Sequence, residues 1–237
     1  MALALAVQSN TLGVTCLTEG KYQQAFSFFN EALLRCSVAA LQAEEYQEAA
    51  EMIGQAADDA SAVMVVPHSP PYKGRWDLEC CPTVDDVHPI SLFNQALLFS
   101  YPDAGTDVVP GTSVVSACTA TVMFNMALSL CQGSCSQRRK SVKNAAHLFE
   151  AAISLMEQLP TCSNQMLVTI ASLNNKACVF YHAGDLERSK KDIERLVRAL
   201  AAVKQNRIAS LGFRAQDVDG FFLGAISVRG TQVARAA

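Results

Sequence analysis

Residues 12–33, LGVTCLTEGKYQQAFSFFNEAL, constrain the fold more tightly than any other stretch. Leu12, Gly13 and Cys16 share one helical face. Gly20 interrupts the pattern, and Tyr22, Ala25, Phe29 and Ala32 resume it at steps of three and four. Two amphipathic helices meeting in a turn at Gly20 satisfy this spacing. Gly13, Ala25 and Ala32 fall where two helices must approach closely, and Leu12, Tyr22 and Phe29 are expected to fill the space between them.

The pattern returns along the chain. Residues 38–63 carry Tyr46, Ala49, Ile53 and Ala56, the spacing of a second helix in such a unit whose first half is poorly marked or merged with the helix before it, with Glu44, Glu45, Glu48, Glu51, Asp58 and Asp59 on its outer face. Residues 116–159 carry Asn125, Met126, Ala127 and Leu130, then Ala145, Phe149 and Ala152. Between those sets, residues 131–144 form an enlarged basic turn. Residues 163–204 carry Leu173, Ala177, Phe180, Gly184, Leu186, Ser189, Ile193 and Leu196, with AGDL (183–186) as the turn. Lys176 stands where a buried leucine is expected.

On these residues the chain resembles the tetratricopeptide repeat (TPR), a 34-residue helix-turn-helix unit. The resemblance implies an all-α, right-handed superhelical array of TPR-like units. Four segments follow: TPR-like repeats over 1–63, a Pro-rich insertion over 64–115, further repeats over 116–204 and a capping tail over 205–237. Seven of the eight prolines fall in the insertion, which denies it a continuous helix. Its apolar runs, 90–99 and 108–115, read as a short helix or strand, or as a hairpin across 101–107. In the tail, Phe221, Phe222 and Leu223 are expected to cap the last helix.

Half of the residues are apolar and 17% charged, the composition of a folded chain. No apolar run is expected to reach the roughly 18 residues that cross a bilayer. The N-terminal apolar stretch has no basic residue before it, so it does not read as a secretion signal. With nine cysteines, an odd number, and Cys16, Cys131 and Cys178 on apolar helical faces, the thiols read as reduced and the setting as intracellular, cytoplasmic or nuclear. Residues 1–137 hold 4 Lys/Arg against 14 Asp/Glu, and residues 138–237 hold 15 against 8. That split favours electrostatic partnering, including self-association of acidic and basic halves.

No nucleotide-loop, nucleophile-elbow or zinc-protease motif occurs, and His68, His88, His147 and His182 are scattered, so no enzyme and no cofactor are expected. The Cys131/Cys135 pair and the Cys80–Cys81 doublet fall short of four zinc ligands, so no metal is expected either. Arg138, Arg139, Lys140 and Lys143 form a basic patch, and Arg188, Lys190, Lys191, Arg195, Arg198, Lys204 and Arg207 a second basic face. RNA or an acidic protein would suit them. Without interleaved aromatics, and with Glu187–Lys191 and Glu194–Arg198 at pairing distance along a helix, a solvated face is the better reading.

The resemblance also implies a groove lined by the first helix of each unit, which takes peptide segments. On that face fall Asn10 and Thr11, then Phe124, Asn125, Leu128 and Gln132, then Asn174, Asn175, Cys178, Tyr181 and His182. An amide both donates and accepts, so Asn125 and Asn175 are suited either to gripping a peptide backbone whatever its sequence or to capping and satisfying neighbouring helices. No basic residue lines the face, which excludes a clamp for a C-terminal carboxylate. The expectation is a non-catalytic scaffold or adaptor for another protein's peptide segment.

Overall fold

Gly20 ends the first helix in the left-handed conformation, at φ 75°. Its N–H reaches the carbonyl of Leu17, and the N–H of Lys21 reaches that of Cys16. These two bonds close the helix in a Schellman motif, where glycine meets no Cβ penalty. Gly184 repeats the arrangement at φ 80°, with its N–H on Tyr181 and that of Asp185 on Phe180. In both places the next helix starts at once, which fixes a tight helix-turn-helix.

In this computed structural model the chain is mostly helical. Residues 1–52, 64–68, 92–93, 95–100, 110–133, 138–159, 163–205 and 221 are described, without the side chains of 46–52, 138–140, 163–165 and 203–205. Among the described residues six helices and two strands run in the order α1 (Ala2–Thr18), α2 (Tyr22–Met52), β1 (Met64–Pro67), β2 (Leu97–Ser100), α3 (Thr112–Gly133), α4 (Arg138–Glu157), α5 (Ser163–His182) and α6 (Leu186–Gln205). Each helix packs on the next one in sequence. α3 also touches α1 and α5, and the strands lie against these odd-numbered helices.

The same spacing marks the buried seam in every described pair, small-large-small on α2 and α4. Ala25, Phe29 and Ala32 are fully buried on α2, Ala145, Phe149 and Ala152 on α4, and Ser189, Ile193 and Leu196 nearly so on α6. Gly13 is needed for the closest approach. A Cβ there would lie 2.5 Å from Cε1 of Phe29. On the α3–α4 pair, Phe149 packs against Phe124, their ring centroids 5.6 Å apart. Leu12 departs from expectation: it is 43% exposed and does not fill the inter-helix space.

Three further expectations are corrected, and one alternative is decided. Residues 38–52 continue α2 without a break, merged with the helix before them; the Tyr46 and Ala49 side chains, and Ile53 and Ala56, lie outside what is described. β2 pairs antiparallel with β1, and Val114 and Val115 belong to α3 and form no hairpin strand with β2. Arg138, Arg139 and Lys140 open α4 instead of sitting in a turn, with Lys143 one turn on and exposed. Finally, α3 is long and apolar enough to cross a membrane by length and composition, although 72% of that stretch is buried within the fold.

Lys176 is held from both sides. Its ammonium on α5 pairs with Glu150 of α4 and lies 3.0 Å from Oδ1 of Asp192 on α6. Arg195 closes the network on Glu150 at 3.2 Å and Glu157 at 3.1 Å. A lysine is tolerated among core positions because its charge meets carboxylates at the rim of the α4–α5–α6 seam.

Candidate functional site

The asparagines expected to line a groove are buried: Asn10, Asn125 and Asn175 completely, Asn174 to 2% exposure. They are covered by the chain itself. Residues 92–93 and 95–100 lie along the face of α1, α3 and α5 and end in β2. Asn125 accepts from the Leu97 N–H at 2.8 Å through Oδ1 and donates to the Leu97 carbonyl at 2.7 Å through Nδ2. Asn175 does the same for Phe93, accepting from its N–H at 2.7 Å and donating to its carbonyl at 2.9 Å.

This pairing follows from geometry. In an extended chain the N–H and C=O of one residue point to the same edge, and every second residue shares that edge. Phe93 and Leu97, an even number apart, therefore turn the same edge to the helices. The opposite edge pairs with β1: Val66 stands opposite Leu98 and the Ala96 carbonyl accepts from the His68 N–H at 2.8 Å. The planar asparagine amides stand where a further strand's peptide groups would stand.

The asparagines support one another. Asn10 donates to the Leu97 carbonyl at 3.2 Å and accepts from Asn125 at 2.9 Å, while Asn174 donates to Asn175 at 3.2 Å. The Leu97 carbonyl thus receives two donors, one for each lone pair. Phe93, Leu97 and Phe99 are buried among the helices. The ring of Phe93 lies 6.4 Å from Phe124 and 5.7 Å from Phe221. Phe221 is therefore tied to this segment; Phe222 and Leu223 lie outside the described residues.

The other expected groove residues divide. Phe124 and Leu128 are core. The exposed Thr11 hydroxyl bonds back to the Val7 carbonyl of its own helix. Tyr181 and His182 stand half-buried with their rings edge to face at 5.7 Å. The Gln132 amide has no hydrogen-bond partner among the described residues although both its polar atoms are buried. Missed at the sequence level were Phe93 and Leu97, the residues these amides hold. The only signal was an apolar run at 90–99 that reads equally as helix or strand.

Burial pushes the Cys36 thiol up to about 11 and the Cys178 thiol up to about 12. It raises those of Cys118 and Cys131 as well. Thiols held protonated in this way are poor nucleophiles. Among the described residues no cluster of His, Cys, Asp or Glu could hold a metal. Cys80, Cys81, Cys135, Cys162 and His88 lie outside them.

The basic surface is partly neutralised. Arg195 serves the Lys176 network, and Arg188 pairs with Asp185 at 3.4 Å and stacks over Phe180. The expected pairs Glu187–Lys191 and Glu194–Arg198 do not form; Arg195 reaches across to α4 instead. No family model, curated protein or solved structure matches the chain.

Proposed function

We propose that this chain is a non-catalytic protein-interaction scaffold, a TPR-like superhelical array whose concave face, on α1, α3 and α5, receives an extended peptide. One observation carries the reading. Asn125 and Asn175 each grip both polar groups of one backbone residue, a mode of recognition that fixes strand register without reading side chains. Apolar side chains seated between the helices would supply most of the binding energy, and a preformed array keeps the ordering cost low. No cofactor has a part in this.

Cross-linking mass spectrometry on the full chain in cell extract tests it. Partner cross-links are expected on α1, α3 and α5. Cross-links confined to α2, where Leu34, Val38 and Leu41 form an exposed apolar stripe, or to the basic residues of α4 and α6, would place the working surface elsewhere and overturn the reading.

A further inference from the structure

The ligand-binding face already contains a ligand. We propose that residues 92–100 are a built-in occupant of the groove, and that the foreign ligand it takes is an uncharged extended segment with the same anchors: an aromatic residue, a leucine four positions on and an aromatic two beyond that. This inference rests on the groove reading and adds its specificity and its control.

The anchors are Phe93, Leu97 and Phe99, all buried. The register comes from the two bidentate asparagines, which hold residues four apart in the segment. A ligand of different spacing would satisfy one asparagine and leave the other, fully buried, with only its neighbouring asparagine as partner. A charge at the Phe93, Leu97 or Phe99 position would be buried with no counter-ion from the groove asparagines, which excludes acidic and basic residues at the anchors. The remaining polar demand is met from the other edge, where β1 pairs with β2. A foreign segment that brings the anchors but no strand like β1 leaves that edge in solvent, where water satisfies it.

Control follows from connectivity. The segment is tethered to α3 by a short connection, so its effective concentration at the groove is on the order of millimolar or more. A free peptide with the same contacts competes against that concentration. The intact chain therefore binds such a peptide weakly, and any change that unseats Phe93 or Leu97 opens the groove.

The test uses the full-length chain and a fluorescent peptide, LFNQALLFS, the sequence of residues 92–100. A Phe93→Ser/Leu97→Ser/Phe99→Ser variant is expected to bind the peptide at least tenfold more tightly than the wild type. Adding Asn125→Ala/Asn175→Ala to that variant removes the binding. A peptide carrying Leu97→Asp loses at least tenfold. If the triple variant does not fold by circular dichroism, Phe93→Ala alone opens the α5 end and is expected to show the same order of affinities.

A folded variant with no gain in peptide binding overturns the inference. So does a variant that dimerises with residues 92–100 protected, because the occupant is then a second copy. Cellular partners that still cross-link to α1, α3 and α5 in either case leave the groove reading standing while this inference falls.

Discussion

Asn125 holds Leu97 by both of its backbone polar groups, at 2.8 Å and 2.7 Å, from a helix 28 residues away in sequence. One fully buried side chain thereby sets the register of β2 against α1 and α3. Replacing it with alanine strands the Leu97 N–H and removes the bond to Asn10. Asn125→Ala is expected to lower stability by about 2–3 kcal/mol, since a buried group left unsatisfied costs about 1–3 kcal/mol. Urea denaturation followed by circular dichroism measures this, and a loss under about 0.5 kcal/mol would show that water replaces the amide.

The two kinds of glycine in the helix pairs separate by substitution. Gly13→Ala drives a methyl into the Phe29 ring and is expected to cost about 1–3 kcal/mol. Gly184→Ala meets no atom within 4 Å and suffers only from its φ of 80°, about 1–2 kcal/mol. Pairing Gly13→Ala with Phe29→Leu recovers part of the first loss and none of the second, which thermal melts of the single and double variants will show.

The Lys176 network behaves as a unit. Lys176→Met leaves Asp192 buried with only Arg195 nearby, at 3.6 Å. It is expected to cost about 3 kcal/mol, near the lower end for a broken buried pair. Lys176→Met/Asp192→Leu removes both charges and is expected to recover most of that loss. A double variant as unstable as the single one would mean that the lysine acts through packing.

Glu150 makes part of the network's stability depend on pH. Burial raises its carboxyl, but the Lys176 and Arg195 cations outweigh this and hold it below the ordinary carboxylate value. A depressed folded value stabilises the fold above the ordinary range, and that contribution is lost as pH falls through the depressed value. Glu150→Gln is therefore expected to melt below the wild type at neutral pH, with the gap closing on acidification. A gap that persists at about pH 2, below the ordinary carboxylate range, would assign the effect to packing.

Thiol reactivity reports the core. Cys36, Cys118 and Cys178 are buried and protonated, so iodoacetamide at about pH 8 is expected to spare them until the chain unfolds. Peptide mapping after labelling distinguishes them from the half-buried Cys16. Rapid labelling of Cys178 in the native chain would mean that α5 opens.

The helix pairs were legible because their constraints are local. Gly20 and Gly184 mark turns that only a left-handed residue can close, and Ala25, Phe29 and Ala32 mark a seam by size alone. Asn125 and Asn175 were legible as backbone-binding groups from the two-sided hydrogen bonding of an amide. Their partners were not. Phe93 and Leu97 lie in a run too short to show whether its period is two or 3.6, and a contact between Asn175 and Phe93 spans 82 residues. Lys176 was illegible for the same reason: its carboxylates sit on two neighbouring helices, and no local pattern joins Glu150, Lys176 and Asp192. Leu12 read as filler because its spacing fits, yet at the first helix pair it faces outward.

Amide hydrogen exchange at Phe93 and Leu97 tests the central claim most directly. If Asn175 and Asn125 hold these two residues in the groove, both amides exchange as slowly as those of the buried helix α3, and Asn125→Ala releases Leu97 selectively. Exchange of both amides at the rate of an unstructured peptide would mean that the segment does not occupy the face, and the account of the groove would fail.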